Sequence, residues 1–179
     1  MGRAAAAAAM AGHTRRARAP IRPGDRQRRH LSRRQAGGAV GLRVGGGLVL
    51  AVEDGFALLD PDWQRLEQVA VVERAGPRAR FNDGKCDPAG RVLAGTMAYD
   101  LTSGAGFLCR LDPDRSVTML LDAVTLSNGL AWTADGATMY YIDMPTQGVD
   151  AFDYDIEAGR MTGRRRLVDI PAGAGRRTA

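Results

Sequence analysis

Three short stretches hold the polar residues best suited to chemistry: Arg80-Phe81-Asn82-Asp83, Asn128-Gly129 and Asp143. A guanidinium presents five N–H donors in a rigid fork, and a carboxamide both donates and accepts. Arg80 and Asn82, one residue apart, could therefore hold hydroxyls or a developing oxyanion in fixed directions. Amide and carboxylate oxygens are hard ligands that suit Ca²⁺, Mg²⁺ or Mn²⁺, and a carboxylate beside such an ion can act as a base. Each stretch also has a purely structural reading. Asn82-Asp83-Gly84 can be an Asx-type turn that opens a strand, and on residues alone that reading is preferred. Asn128-Gly129 can be a turn with Asn in the left-handed region. Asp143 ends the run Tyr140-Tyr141-Ile142-Asp143 and reads as structural. Both histidines, His13 and His30, fall in the N-terminal segment, which argues against a His-ligated zinc site.

The elements that must position these residues are short and strand-like. From Gly37 onward the chain alternates apolar and polar residues, with breaks at Gly, Asp and Pro. Three segments superimpose: "VGLRVGGGLVLAVEDGFALLDPD", "GKCDPAGRVLAGTM…GAGFLCRLDPD" and "GLAWTADGATMYYIDMPTQGVDAFDYD". Each holds a strand, a turn with Gly (Gly46, Gly90, Gly136), a second strand, and a third that runs into an Asp-rich turn. The glycines that head them, Gly41, Gly84 and Gly129, are spaced 43 and 45 residues apart. That period, with several strands per unit and no long helix, predicts β-propeller blades; a β-sandwich with chance spacing is the alternative. Propellers close with about four to eight blades, and this body supplies about three, which would leave strand edges open. Trp63 and Trp132 are expected to pack blades or cover loops.

Charge divides the chain. Residues 1–36 carry ten arginines and one aspartate, whereas the remainder carries 15 basic and 19 acidic residues. The net +5 thus belongs to the first segment, and the body is mildly acidic. Residues 1–36 lack strand alternation and a helical stripe, so no packed structure is expected there. An organellar transit peptide, a phosphate-binding arm and out-of-frame translation of GC-rich DNA are the three readings, the last preferred. A nucleic-acid partner is not expected for the body. Cys86 and Cys109 lie in strand-like runs without CxxC spacing and read as buried free thiols. No run of about 18 apolar residues suggests a membrane helix.

The stretches "RFNDGKCDPAGRVLAGTM", "LSNGLAWTADGATMYYIDM" and "VDAFDYD" closely resemble the gluconolactonase/regucalcin-like family, also called the senescence marker protein family. The resemblance runs from about Gly38 to Gly175. It implies an all-β fold, a six-bladed β-propeller here represented by about three blades, and hydrolysis of a small sugar lactone such as gluconolactone. It also implies one divalent cation in the central channel, Ca²⁺ first, with Zn²⁺, Mn²⁺ or Mg²⁺ as alternatives. Arg80 and Asn82 match substrate-binding positions and Asn128 a metal ligand. Asp100 is the nearest match to an acidic substrate-contacting residue that follows "AGTM". Lactone hydrolysis needs a polarised carbonyl and an activated water, and a divalent cation supplies both.

The same resemblance places two more metal ligands where this chain has no match. A Glu in an opening strand has no counterpart in the Arg-rich segment, and an Asp of a "PDG" motif has none at "DIPAGAGRRTA". Loss of one C from a codon run for Arg-Pro-Asp-Gly reads Arg-Arg-Thr-Ala, the residues at 176–179. The expected organisation is therefore a disordered or out-of-frame segment at 1–36, a partial propeller at 37–175, and an atypical end at 176–179. The expectation for function is a weakly active or inactive, cytoplasmic relative of the lactone hydrolases. A non-catalytic, calcium-binding propeller module is the alternative.

Overall fold

The computed structural model describes residues 37–73 and 75–171. Residues 1–36 and 172–179, including both histidines, lie outside the described set. Twelve strands form three four-stranded antiparallel sheets, each a meander of consecutive strands. The first comprises β1 (Gly37–Leu42), β2 (Leu48–Val52), β3 (Gly55–Leu59) and β4 (Leu66–Val71). The second comprises β5 (Ala79–Cys86), β6 (Val92–Ala98), β7 (Gly106–Leu111) and β8 (Val117–Val124). The third comprises β9 (Ser127–Trp132), β10 (Thr138–Asp143), β11 (Gly148–Asp155) and β12 (Arg160–Asp169). These are propeller blades: the leading strands β1, β5 and β9 lie side by side in sequence order, and the sheets fan out from them.

Turn chemistry sets the first hairpin of every blade. Gly46, Gly90 and Gly136 have φ of +83°, +85° and +70°, and each donates its N–H to the carbonyl three residues earlier. The repeat read from the sequence thus corresponds to the first three strands of each blade. The fourth strands, β4, β8 and β12, complete the sheets at the outer rim.

Strand alternation builds two cores. In the middle blade, Phe107, Cys109 and Leu111 on β7 and Ala94 on β6 face the first blade. There they meet Val49, Ala51, Phe56 and Ala70, with Phe81 against Phe56 at 5.1 Å between ring centroids. The alternate residues Leu93 and Leu108 face the third blade and pack on Leu130, Met139, Tyr141, Phe152 and Tyr154. Full burial of each such aliphatic or aromatic side chain stabilises by about 1.5–3 kcal/mol. Cys109 is fully buried and free, and burial pushes its thiol pKa up; Cys86 is free but only half-buried. Trp132 packs edge-on against Tyr154 at 5.6 Å, as expected of blade packing, while Trp63 is 65% exposed.

Candidate functional site

The site lies where the leading strands begin. Arg80-Phe81-Asn82-Asp83 is part of strand β5, and Asn82-Asp83-Gly84 is therefore strand rather than the turn read for it. Across the β5–β6 ladder Phe81 pairs with Thr96 and Asp83 with Gly95, so Asn82 is the extra residue of a β-bulge. A bulge breaks the strict in-out alternation and re-aims a side chain. Phe81 is thereby free to plug the apolar core while Asn82 turns towards the third blade. The same device recurs in the other leading strands. Gly38 is skipped between Gly37↔Val52 and Ala39↔Ala51, and Gly129 between Leu130↔Tyr141 and Asn128↔Ile142.

Asn128 is likewise on a strand, β9, rather than in a turn, and the left-handed residue beside it is Gly129 at φ +46°. The bulges bring three of the four candidate residues together. Arg80 Nη1 donates to the Phe81 carbonyl at 3.0 Å and to Asn82 Oδ1 at 3.1 Å. Asn82 Nδ2 donates to the Ser127 carbonyl at 2.9 Å and to Asn128 Oδ1 at 3.3 Å. A half-buried chain, Arg80 to Asn82 to Asn128, thus bridges two blades. The fourth candidate stands apart. Asp100 is exposed in the turn after β6, where it accepts the Thr102 N–H at 3.0 Å, and that bond holds its pKa below the ordinary carboxylate value. No described hydrogen bond or ion pair joins Asp100 to the other three.

The support beneath this chain comes from residues that sequence reasoning had not singled out. Ser127 is fully buried and accepts the Tyr141 hydroxyl at 2.8 Å. Burial, opposed by this bond and assisted by Asp143, pushes the Tyr141 pKa up. Ser127 nests against Gly95, where any Cβ would overlap its hydroxyl. Gly38 is bare for a related reason, since a Cβ there would run into the Phe81 backbone. A glycine within each otherwise apolar run was the available signal for these close approaches. Asp143 plays the structural part read for it: its two oxygens accept the Thr125 N–H at 3.0 Å and the Leu126 N–H at 2.8 Å, fixing the approach to β9.

As a cation site this arrangement is incomplete. Among the described residues no group of three or more His, Cys, Asp or Glu could hold a metal ion. Asn128 offers one amide oxygen, already accepting from Asn82, and Asn82 Oδ1 is engaged by a cationic guanidinium. The described residues alone do not make a cage for a divalent ion. What they do make is a directional donor set at the start of the neighbouring strands β5 and β9. Beside it, a cleft of about 380 Å³ opens between the first two blades, lined by Glu53, Asp54, Arg78, Phe81, Thr96 and Phe107 among others.

Comparison with known proteins agrees with the fold and the motifs. Residues 15–177 match the family described as the SMP-30/Gluconolactonase/LRE-like region, a match that begins inside the arginine-rich segment. Regucalcin of Xenopus laevis is 44% identical over 138 residues, which are 74% of this chain and 46% of that protein. A calcium-binding regucalcin structure from Agrobacterium tumefaciens superimposes with a TM-score of 0.73 at 26% identity, covering 79% of this chain and 48% of the other. A luciferin-regenerating enzyme superimposes with a TM-score of 0.69 at 32% identity, over 75% and 48% of the two chains. The chain spans about half the length of the curated relatives it matches. By sequence and by fold, the chain belongs to the SMP-30/gluconolactonase/LRE-like family.

Proposed function

We propose that this chain carries the substrate-binding part of a sugar-lactone hydrolase site, with Arg80 and Asn82 holding oxygens of the lactone. The observation that carries this reading is the hydrogen-bonded chain Arg80–Asn82–Asn128, held on two bulged strands. Arg80 spends Nη1 on Phe81 and Asn82. Among the described contacts, the rest of its five donors remain for an oxygen-rich ligand. A sugar lactone offers hydroxyls, a ring oxygen and a carbonyl that becomes an oxyanion on attack, the charge pattern such donors stabilise. Asn128 is proposed as one oxygen ligand of a divalent cation, Ca²⁺ before Mn²⁺, Mg²⁺ or Zn²⁺, whose other ligands are not among the described residues. Asp100 is proposed as a further contact at the rim, one that needs the turn after β6 to move inward. A cytoplasmic location belongs to the same proposal.

This chain on its own is proposed to bind lactone and to hydrolyse it weakly or not at all. No described carboxylate bonds to the three-residue chain, so a general base is missing from the set. Saturation-transfer NMR with gluconolactone and gluconate tests binding. The expected result is transfer to the sugar protons, weakened roughly tenfold or more by Arg80→Ala, in line with about 1.5–3 kcal/mol for a hydrogen bond to a charged group. Absence of any transfer overturns the reading. A metal-stimulated hydrolysis rate that Asn128→Ala abolishes would overturn the assignment of weak activity instead. A second reading, a non-catalytic calcium-binding module, draws support from the calcium-binding regucalcin of A. tumefaciens. Calorimetry separates them: heat of Ca²⁺ binding with no response to lactone favours the module.

A further inference from the structure

The two joints between blades are finished differently at the end opposite the site. At the joint of the second and third blades, Arg91 donates to the carbonyls of Ile156 and Glu157, and Arg110 to those of Ala158 and Gly159. Each guanidinium is also held by an aspartate of its own blade, Asp87 or Asp112. Both arginines are thus consumed by the turn between β11 and β12. Aligning the turn glycines Gly46 and Gly90, and the two Asp-Pro-Asp turns, sets Gly47 at the position of Arg91 and Leu58 at that of Arg110. The first blade therefore offers no guanidinium at either place to the turn between β7 and β8. A cleft of about 110 Å³ stays open at that joint, lined by Arg43, Leu58, Asp60, Arg65, Glu67 and Arg115.

We propose that this cleft binds a phosphate group, either as the free anion or as a small monoester. Three guanidiniums from three different turns meet two carboxylates there, which leaves one positive charge in excess within a mildly acidic body. Both carboxylates are already engaged. Asp60 Oδ1 accepts the Gln64 N–H at 2.9 Å, and Glu67 meets Arg115 at 3.1 Å and Arg65 at 3.9 Å. Arg43 carries the excess: it is half-buried, and no described hydrogen bond or ion pair engages its guanidinium. A charge drawn part-way out of water favours a counter-ion, and guanidinium forks match phosphate oxygens in pairs. The cleft far exceeds the ~10–15 Å³ that holds one water, so a tetrahedral oxyanion has room. The side chains of Arg115 and Glu67 are 52% and 39% exposed, and such a solvated pair contributes little and yields readily to a dianion. Glu67 is then an internal competitor, a carboxylate that keeps Arg65 and Arg115 beside the cleft until phosphate takes their donors.

Calorimetric titration of the full chain, at constant ionic strength set with chloride, tests this with inorganic phosphate and with glycerol phosphate. The expected result is saturable binding of one phosphate per chain. Arg43→Gln should weaken it about tenfold or more, the scale of a lost bond to a charged group. Glu67→Gln should tighten it, because two guanidiniums are freed and a repelling carboxylate is removed. The opposite signs identify the cleft, since the ten arginines of residues 1–36 also attract phosphate but are touched by neither substitution. Urea midpoints in chloride report whether the variants fold, and Arg115→Gln, also expected to weaken binding, stands in for Arg43→Gln if that variant does not. Tighter binding of the ester identifies an esterified ligand and equal binding the free anion; both support the cleft. No saturable heat with either probe, or an affinity that either substitution leaves unchanged, overturns the proposal.

Discussion

At the scale of single residues, the site depends on atoms that are missing as much as on those present. Gly95 on β6 and Ser127 on β9 interlock so closely that the serine hydroxyl occupies the space of a Gly95 side chain. Ser127 is tied in turn to Tyr141, and its carbonyl receives the Asn82 amide. Gly95→Ala should therefore push Ser127 and the start of β9 outward, costing about 1–3 kcal/mol, as overpacking of a tight site does. Thermal denaturation measures the loss, and Ser127→Gly in the same chain should recover part of it. Ser127→Gly alone leaves the Tyr141 hydroxyl without its acceptor, at about 1–3 kcal/mol for a buried unpaired group. The pair is thus non-additive by construction. If the two losses simply add, the interlock does not exist.

At the scale of elements, the blades are joined by a polar latch at the end opposite the site. Asp87, in the turn between β5 and β6, accepts the Ala89 N–H at 3.0 Å, the Arg91 N–H at 2.8 Å, Arg91 Nε at 2.7 Å and the Tyr154 hydroxyl at 2.6 Å. Arg91 reaches on to the carbonyls of Ile156 and Glu157 between β11 and β12. Its side chain and that of Asp87 are 8% and 0% exposed. Removing one partner of a buried, fully bonded pair strands the other charge, so Asp87→Ala is expected to cost about 3–5 kcal/mol. Arg165→Ala, which breaks the exposed pair with Asp153, is expected to cost about 0–1 kcal/mol. Urea denaturation of both variants checks the contrast, and similar midpoints would show that the latch carries no special weight. The latch also shows what was legible beforehand. "DPAG" and "TADG" announced their hairpins, because a tight turn is local chemistry. The outer strands were not legible: "RMTGRRRLVD" of β12 has no alternation, because a rim strand packs on one neighbour only, and its glycine, Gly163 at φ +60°, sits at a register shift inside the strand rather than in a turn. Nor were the bulges, since a register offset depends on the partner strand. That is why Asn82-Asp83-Gly84 read as a turn although its residues lie on a strand. The resemblance, rather than any periodicity, brought Arg80, Asn82 and Asn128 to notice, and the residues that seat them passed unremarked.

At the scale of the whole molecule, the blades are not equivalent. The middle one is covered on both faces, and Leu93, Ala94, Leu108 and Cys109 on β6 and β7 are all fully buried. The rim strand β12 is exposed at nearly every position, with Leu167 54% and Val168 48% exposed. In a stack where each unit contacts only its neighbours, local stability follows the number of covered faces. Native-state hydrogen exchange should therefore rank the amides. Those of β6 and β7 are expected to exchange only through global unfolding, and the free-edge amides of β12 by local opening at far lower free energy. Leu93→Ala, which opens a cavity in the core between the second and third blades, is expected to cost about 2–5 kcal/mol. It should lower the protection of β6, β7, β10 and β11 together while leaving the free edge of β12 unchanged. If the β12 edge amides were as protected as those of β6, or if Leu93→Ala lowered protection in β6 alone, the blades would not share their cores as described.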